Sequence, residues 1–257
     1  MSDGTVLRDE PLPGVARVRF ARPSAHNTLN SRLLLALDVE LAALAATPTV
    51  RCVILTGGGD RFCPGVDPAV LRGDESLRVM EAGHAVLGRL ERLPCPVIAA
   101  VNGLALGAGC ELTLACDLVY AHEQARFAMP QAGTGLIPAF GGLGRLAQRV
   151  GQMRAMELLS TGRRVRAHEA CALGLCLDVF PADELMDQVL TVAGRIARQA
   201  PLAVQAAKAN LWAARGEGPD PSWARDRDAF ARLRATQDTA EGLAAAAEGR
   251  DPVWRGR

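Results

Sequence analysis

Apolar residues in the first half of the chain fall into short runs, separated by longer stretches with helical spacing. The runs contain consecutive branched residues, such as Val53, Ile54 and Leu55, as is typical of strands buried on both faces. Strands are predicted at residues 15–20, 51–56, 96–101, 117–121 and 126–129. Helices are predicted between them at 33–45 and 75–93, each ending shortly before a proline. This alternation predicts α/β layers with right-handed crossovers.

The second half of the chain is mostly helical in its pattern. Helical spacing is found at residues 142–150, 153–160, 167–173, 182–200, 202–215 and 222–249. One strand is predicted at 175–180, and a loop rich in glycine and proline at 216–221. Because few turns are long enough to isolate a second core, we expect this half to serve partly in contacts between copies of the chain.

The charge of the chain is nearly balanced, which limits the classes of partner. The 257 residues include 29 Lys and Arg against 28 Asp and Glu, a net charge of +1. This balance gives no electrostatic reason to expect nucleic acid or a membrane surface as partner. The first ten residues are polar, and no apolar run approaches the roughly 20 residues of a membrane span. We therefore expect a cytoplasmic protein.

The seven cysteines and four histidines do not have the spacing of a metal site. No C-x-x-C pair occurs, and most of the cysteines lie in apolar runs. They are expected to be small buried side chains of a protein from a reducing compartment. Neither a bound metal nor a disulfide framework is predicted.

Two glycine-rich segments follow buried strands and are the strongest candidates for a functional site. They are residues 56–67 (TGGGDRFCPGVD) and 100–112 (AVNGLALGAGCEL). Small residues allow backbone N–H groups to approach a ligand closely, and Gly107–Glu111 has the pattern of a helix start that could bind an anion. Turns without a ligand are the alternative. A phosphate-binding loop is not expected, because neither of its glycine motifs is present.

In order and spacing, the two segments resemble the oxyanion-hole motifs of the crotonase (enoyl-CoA hydratase/isomerase) superfamily. Four further stretches resemble the same family: residues 22–30 (RPSAHNTLN), 127–142 (FAMPQAGTGLIPAFGG), 200–210 (APLAVQAAKAN) and 236–257. The resemblance implies an α/β fold, a crotonase-type spiral of ββα units followed by a helical C-terminal trimerisation region. We expect the spiral core at 1–200, the oligomerisation region at 201–257, and a homotrimer or a dimer of trimers.

The resemblance also implies roles for residues of the two segments. The backbone N–H groups of Val66 and Ala108 would form the oxyanion hole for an acyl-CoA thioester. Glu111 matches the first catalytic glutamate of the family, and burial beside an apolar acyl pocket should raise its pKa. The alternative is that Glu111 only complements the dipole of the helix that it begins.

Gln131 is the departure from the family pattern, because it stands where the family has its second catalytic glutamate. An amide cannot give or take a proton, although it can hold a water. Three functions therefore stay open: hydration or isomerisation of an enoyl-CoA through Glu111, another reaction of a CoA enolate (decarboxylation, C–C cleavage or thioester hydrolysis), or acyl-CoA binding without catalysis.

The motif positions also imply a CoA-binding set, with CoA as part of the substrate and no separate cofactor. Its members border the pantetheine, the adenine or the nucleotide phosphates: Ser24, Ala25, His26, Pro64, Asp67, Arg227 and Phe230. Arg227 and Phe230 would reach the nucleotide from a neighbouring subunit, unless Arg227 belongs only to a solvated run of charges. His84 could act as a base or be structural, and Cys63 and Cys110 are expected to be packing residues.

Overall fold

The main sheet of the protein has six strands and carries both glycine-rich segments at the ends of its central strands. A computed structural model describes residues 5–72, 75–215 and 219–257. In sheet order the strands are β1 (Thr5–Leu12), β2 (Val15–Ala21), β3 (Cys52–Gly57), β4 (Val97–Val101), β6 (Leu118–His122) and β9 (Asp178–Phe180). Among the described strand pairs of this sheet, β1–β2 is antiparallel and the other four are parallel. The central strands are parallel, so their carboxyl ends meet at one edge.

A second sheet lies at that edge. Its three strands are β5 (Leu104–Leu106), β7 (Arg126–Ala128) and β8 (Val165–Arg166). Strand β5 follows β4 directly and pairs in parallel with β7. The chain therefore passes from the main sheet into the second sheet within the second glycine-rich segment.

Helices cover both faces of the main sheet and make up most of the second half of the chain. They are α1 (Ser31–Ala45), α2 (Pro68–Leu71), α3 (Ser76–Arg92), α4 (Ala108–Leu114), α5 (Gly142–Val150), α6 (Gln152–Thr161), α7 (Ala167–Leu173), α8 (Leu185–Ala197), α9 (Pro201–Ala213), α10 (Pro219–Arg234) and α11 (Gln237–Glu248). Among the described residues, no helix is long and apolar enough to cross a membrane.

The apolar core lies on the two faces of the main sheet. The larger cluster joins inward-facing residues of β2, β3 and β4 to helices α1, α3 and α4. The smaller cluster packs Leu185, Val189 and Ala193 of α8 against Ile54 and Ile98 on the other face. Complete burial on both faces explains the nearly continuous apolar runs of the central strands.

Most predicted elements are confirmed, and the differences have local causes. The predicted helix at 222–249 is wrong as one element, because α10 and α11 are separated at Ala235 and Thr236. The Thr236 hydroxyl caps α11 by accepting from the backbone N–H of Thr239 at 3.2 Å. In the predicted loop at 216–221, residues 219–221 instead begin α10, and residues 216–218 lie outside the described part.

Helix α9 is fixed to the core by a buried lysine. Lys208 Nζ donates to the carbonyls of Leu90 and Cys95, at 3.0 and 2.9 Å, and lies 2.8 Å from Asp117 Oδ2. Asp117 also accepts from the indole Nε1 of Trp212 at 2.6 Å. A buried ammonium needs such partners, since leaving it unpaired is costly. The C-terminal helices that start with α9 are therefore bonded to the core through α3 and the segments that lead into β4 and β6.

Candidate active site

A cavity of about 280 Å³ opens between the two glycine-rich segments and the stretch from Pro130 to Phe140. Most of the side chains around it are apolar. The four predicted catalytic residues all line it: Val66, Ala108, Glu111 and Gln131. Residues that are far apart in sequence are thus brought to one chamber of a size suited to a small acyl group.

The two glycine-rich segments are joined by backbone hydrogen bonds. Cys63 N donates to the Leu104 carbonyl at 2.8 Å, and Leu106 N donates to the Cys63 carbonyl at 3.1 Å. Gly109 packs so closely here that a Cβ atom would lie 1.9 Å from the Cys63 carbonyl oxygen. Only glycine fits at this contact, so the sequence of the second segment permits the close approach.

The backbone N–H groups of Val66 and Ala108 lack an acceptor among the described residues. The neighbours of Val66 bond to Leu29: Leu29 N donates to Gly65 O, and Asp67 N to Leu29 O, both at 2.8 Å. Alternation along an extended segment then turns the Val66 N–H away from Leu29. The Ala108 N–H is a free donor of the first turn of α4. Gly65, the residue before Val66, packs against the start of α4, and a Cβ on it would lie 3.8 Å from Ala108 N. The N–H groups of Val66 and Ala108 are therefore neighbours.

Glu111 is buried in the first turn of α4, with 1% of its surface exposed. Its Oε1 accepts from the backbone N–H groups of Phe140 and Gly142 at 2.9 and 2.8 Å. Burial raises the pKa of Glu111 to about 7, although these two hydrogen bonds and the charge of Arg145 act in the opposite direction. A carboxyl group with this pKa can both accept and donate a proton near neutral pH.

Gln131 lines the same cavity, and its side-chain oxygen is a buried, unsatisfied acceptor. It lies in a 3-10 turn, Pro130–Thr134, and within the described part of the chain its buried Oε1 atom has no hydrogen-bond partner. Its Nε2 atom lies 3.4 Å from the position that a Cβ on Gly107 would occupy. A buried amide oxygen without a donor is costly, and a bound molecule that supplies one removes that cost.

The predicted CoA-binding residues 24–26 lie in a largely exposed 3-10 turn that is held against the first glycine-rich segment. The buried side chain of Asn27 makes this contact. Its Nδ2 atom donates to the carbonyls of Gly58 and Arg61, at 3.0 and 2.8 Å. Asn27 has a φ of 65°, in the left-handed region that asparagine tolerates better than most residues.

Asp67 ties the same turn to the edge of the cavity. Arg22 donates to Asp67 Oδ2 at 2.7 Å, and the N–H of Ala69 donates to Asp67 Oδ1 at 2.9 Å. The hydrogen bond from the Ala69 N–H, which has the larger effect, and the one from Arg22 hold the pKa of Asp67 below its usual range. Pro64, three residues earlier, lines the cavity. Five of the seven predicted CoA-binding residues thus belong to neighbouring segments on one side of the cavity.

Arg227 and Phe230 are not brought to the cavity of their own chain. Both lie on α10, where 65% of the Arg227 side chain and 68% of Phe230 are exposed. Arg227 pairs with the adjacent Asp228 at 3.0 Å. Both side chains are therefore accessible on the surface of the single chain. Such exposure is required if they are to bind CoA held by another copy of the chain.

The other residues considered from sequence lie outside the reacting space. His84 is an exposed residue of α3 behind the cavity wall, where its Nδ1 atom is 3.4 Å from the Phe140 carbonyl oxygen. Cys63 and Cys110 are buried, as predicted, and burial raises the pKa of each thiol to about 12. Such thiols are poor nucleophiles and pack as small apolar side chains.

Sequence reasoning did not identify the residues that hold Glu111. They are the N–H groups of Phe140 and Gly142, together with Arg145, which bonds to the same turn. The sequence contains one signal of this contact, the paired glycines at 141 and 142. Glycine is required at 142 because a Cβ there would lie 2.6 Å from Glu111 Oε1. That contact joins residues 31 positions apart, and no local pattern predicts it.

A family model described as enoyl-CoA hydratase/isomerase matches residues 11–257. A 2,3-dehydroadipyl-CoA hydratase of Escherichia coli (strain K12) is 38% identical over 237 residues, covering 92% of this chain and 93% of that protein. A crotonyl-CoA hydratase of Syntrophomonas wolfei is 39% identical over 236 residues, covering 89% and 90%. The crystal structure of an enoyl-CoA hydratase from Bacillus anthracis superimposes with a TM-score of 0.96 at 34% identity, covering 98% of this chain and 100% of that one.

Proposed function

The chain belongs to the enoyl-CoA hydratase/isomerase family, with its crotonase-type fold, and we propose that it adds water to the double bond of an enoyl-CoA with Glu111 as acid and base. One observation carries this proposal. A buried carboxyl group with a pKa of about 7 shares an apolar cavity with two unpaired backbone N–H groups. CoA enters as part of the substrate, and the reaction needs no other cofactor.

The N–H groups of Val66 and Ala108 are the proposed oxyanion hole. The thioester oxygen accepts from both donors as the oxygen of water bonds to C3 and the C2–C3 π electrons move towards the carbonyl. The enolate oxygen that results carries more charge than the ground-state carbonyl, so the donors stabilise the transition state more than the substrate. Loss of one such donor costs on the order of 10²–10³ in rate.

Glu111 is the proposed carrier of the proton. As carboxylate, it takes one proton from the attacking water while the C3–O bond forms. It then gives that proton to C2 as the enolate returns to the thioester. One water thus supplies both the hydroxyl group on C3 and the hydrogen on C2, and Glu111 ends in its starting state.

Gln131 is proposed to orient the attacking water. Its unpaired Oε1 accepts one hydrogen bond from that water, while the other hydrogen points to Glu111. This leaves all proton transfer to a single carboxyl group. Family members with two glutamates divide the task, so we expect slower hydration here than with a second acid.

Gln131 also favours a second candidate function. Without an acid at this position, the oxyanion hole and Glu111 would suit another reaction through a CoA enolate, namely decarboxylation, C–C cleavage or thioester hydrolysis. The unpaired amide oxygen would then bind a polar group of the acyl chain instead of water.

Turnover of crotonyl-CoA tests the two candidates, measured as loss of enoyl-thioester absorbance for wild type, Glu111→Gln and Gln131→Glu. We expect the wild type to hydrate crotonyl-CoA. The rate should fall by about 10³-fold or more in Glu111→Gln and should rise in Gln131→Glu. A silent wild type with an active Gln131→Glu would support the second candidate. If all three proteins bind CoA but none turns over, simple hydration is wrong.

A further inference from the structure

The turn that binds Glu111 is itself held by one guanidinium group. Arg145 Nη1 donates to the carbonyl oxygens of Phe140 and Gly141, both at 3.0 Å. The N–H groups of Phe140 and Gly142 bind Glu111 Oε1. The Gly141 carbonyl and the Gly142 N–H belong to one peptide group, and no described peptide bond is cis. That peptide therefore points its oxygen at Arg145 and its hydrogen at Glu111.

The sequence of the turn matches this arrangement. Gly141 has a φ of 92°, which residues with a side chain rarely adopt, and a Cβ there would lie 2.4 Å from Arg145 Nη1. On its other side, the Phe140 ring fills a slot at Gly83 of α3, where a Cβ would lie 2.1 Å from the ring. The turn thus has two anchors, an apolar one through Phe140 and a charged one through Arg145.

Arg145 is fixed in turn by Glu91 on α3. The Arg145 Nε atom lies 2.5 Å from Glu91 Oε1, and only 11% of the Arg145 side chain and 17% of the Glu91 side chain are exposed. Arg215 lies 3.5 Å from the same oxygen of Glu91. A guanidinium that bonds a carboxylate and two carbonyls uses its rigid fork of donors, which a lysine cannot reproduce. Arg145 does not line the cavity, so it does not touch a substrate there.

We propose that Arg145 is a positioning residue for Glu111: it orients the Phe140–Gly142 turn, and so aims the two N–H groups that hold the Glu111 carboxylate. Hydrogen bonding at a peptide carbonyl also polarises the peptide, which strengthens the bond from its N–H group. This inference rests on the proposed role of Glu111 and extends it to the network behind the cavity wall.

The charged and titratable groups around the turn determine the expected direction of change. They are Arg145 on α5, Glu91 and His84 on α3, Arg215 after α9, and Cys110 beside Glu111 on α4. The positive charge of Arg145 lowers the pKa of Glu111. Replacing Arg145 by a neutral residue should therefore raise that pKa, both through the lost charge and through weaker N–H bonds.

The test compares Arg145→Gln and Arg145→Lys with the matched control Arg149→Gln. Arg149 lies one turn along the same helix and donates to the carbonyl of Cys116, away from the Glu111 turn. The pKa of Glu111 is measured by ¹³C NMR of glutamate-labelled protein, with the signal assigned from Glu111→Gln. In parallel, kcat and KM for crotonyl-CoA are measured between pH 5 and 9.

Arg145→Gln should raise the pKa of Glu111 by about half a unit to one unit. The carboxylate is the active form, so the fall of kcat/KM towards acid should move to higher pH by the same amount. At its optimum, kcat should fall about 10-fold with KM changed by less than about twofold. Arg145→Lys keeps the charge and should lie between wild type and Arg145→Gln, and Arg149→Gln should match wild type.

The inference is overturned if folded Arg145→Gln keeps the NMR titration of the wild type, or if Arg149→Gln shifts it equally. Should Arg145→Gln fail to fold, Arg145→Lys must show a smaller shift in the same direction. The NMR titration needs no turnover. A wild type that is silent on crotonyl-CoA but whose Glu111 responds to Arg145 would therefore contradict the hydratase proposal and leave the positioning role standing.

Discussion

At the scale of single residues, Glu111 links the chemistry of the site to the stability of the fold. Its pKa is about 7 in the folded protein and about 4.5 in an unfolded chain. The native state therefore binds more protons between these values, and the stability gained from that proton is complete below about pH 4.5. It is lost as the pH rises through 7. The carboxylate that catalysis requires is thus a cost to folding.

Replacement of Glu111 by Gln removes this cost and keeps an acceptor for the Phe140 and Gly142 N–H groups. We expect the free energy of unfolding of Glu111→Gln to rise by about 2–3 kcal/mol relative to that of wild type when the pH is raised from 5 to 8. Urea unfolding of both proteins at the two pH values and one protein concentration measures the change. An unchanged difference would mean that Glu111 titrates near its ordinary pKa.

The residues of the site differ in how far the sequence could predict them. Val66, Ala108 and Glu111 lie inside two short motifs whose spacing is fixed by local structure, and the structure places all three around one cavity. The support for Glu111 comes from residues 29 and 31 positions further along the chain. Such contacts depend on how α5 packs against α4, which local periodicity does not encode.

At the scale of elements, glycines set how closely helix α3 approaches the turn before α5. Gly83→Ala would drive a methyl group into the Phe140 ring, since the Cβ position is 2.1 Å from it. We expect a loss of about 1–3 kcal/mol in stability and a fall in kcat, because the Phe140 N–H would move away from Glu111. Thermal unfolding and crotonyl-CoA kinetics measure the two effects.

Gly144→Ala on α5 is the matched control for this prediction. Apart from its chain neighbours and the nearby backbone of α5, no atom of the described residues lies within 4 Å of its Cβ position, and the residue is exposed in the helix. Alanine there should raise stability by about 0.5–1 kcal/mol through helix propensity and leave kcat unchanged. Equal losses of activity in both variants would contradict a specific role for the Gly83–Phe140 contact.

The elements that the sequence pattern missed are short or lie at edges. Strand β1 is an edge strand with three consecutive charged residues (Arg8, Asp9 and Glu10) and no alternating pattern, and β5 and β8 have only three and two residues. They form because neighbouring strands supply partners. The break at Thr236 was missed because helical spacing continues through it. Long buried strands and amphipathic helices were predictable, since burial imposes their pattern.

At the scale of the whole molecule, α10 carries two of the predicted CoA-binding residues on the surface of the single chain. We propose a homotrimer or a dimer of trimers, in which Arg227 and Phe230 bind the nucleotide of CoA held by another copy. Both side chains are exposed in the single chain, and neither lines its own cavity. A double variant, Arg227→Ala with Phe230→Ala, should raise KM for crotonyl-CoA several-fold. It should not affect crotonyl-pantetheine, which lacks the nucleotide.

Hybrid oligomers separate binding within one chain from binding between chains. A Glu111→Gln chain has no catalytic carboxylate but keeps Arg227 and Phe230, whereas the double variant has the opposite defect. If the nucleotide contacts cross between copies, unfolding and refolding the two proteins together should restore a fraction of sites with wild-type KM. Sedimentation should give three or six times the chain mass of 27.1 kDa for the parents and the hybrid. Restoration would fail if both residues act within their own chain, because each hybrid site would then keep one defect.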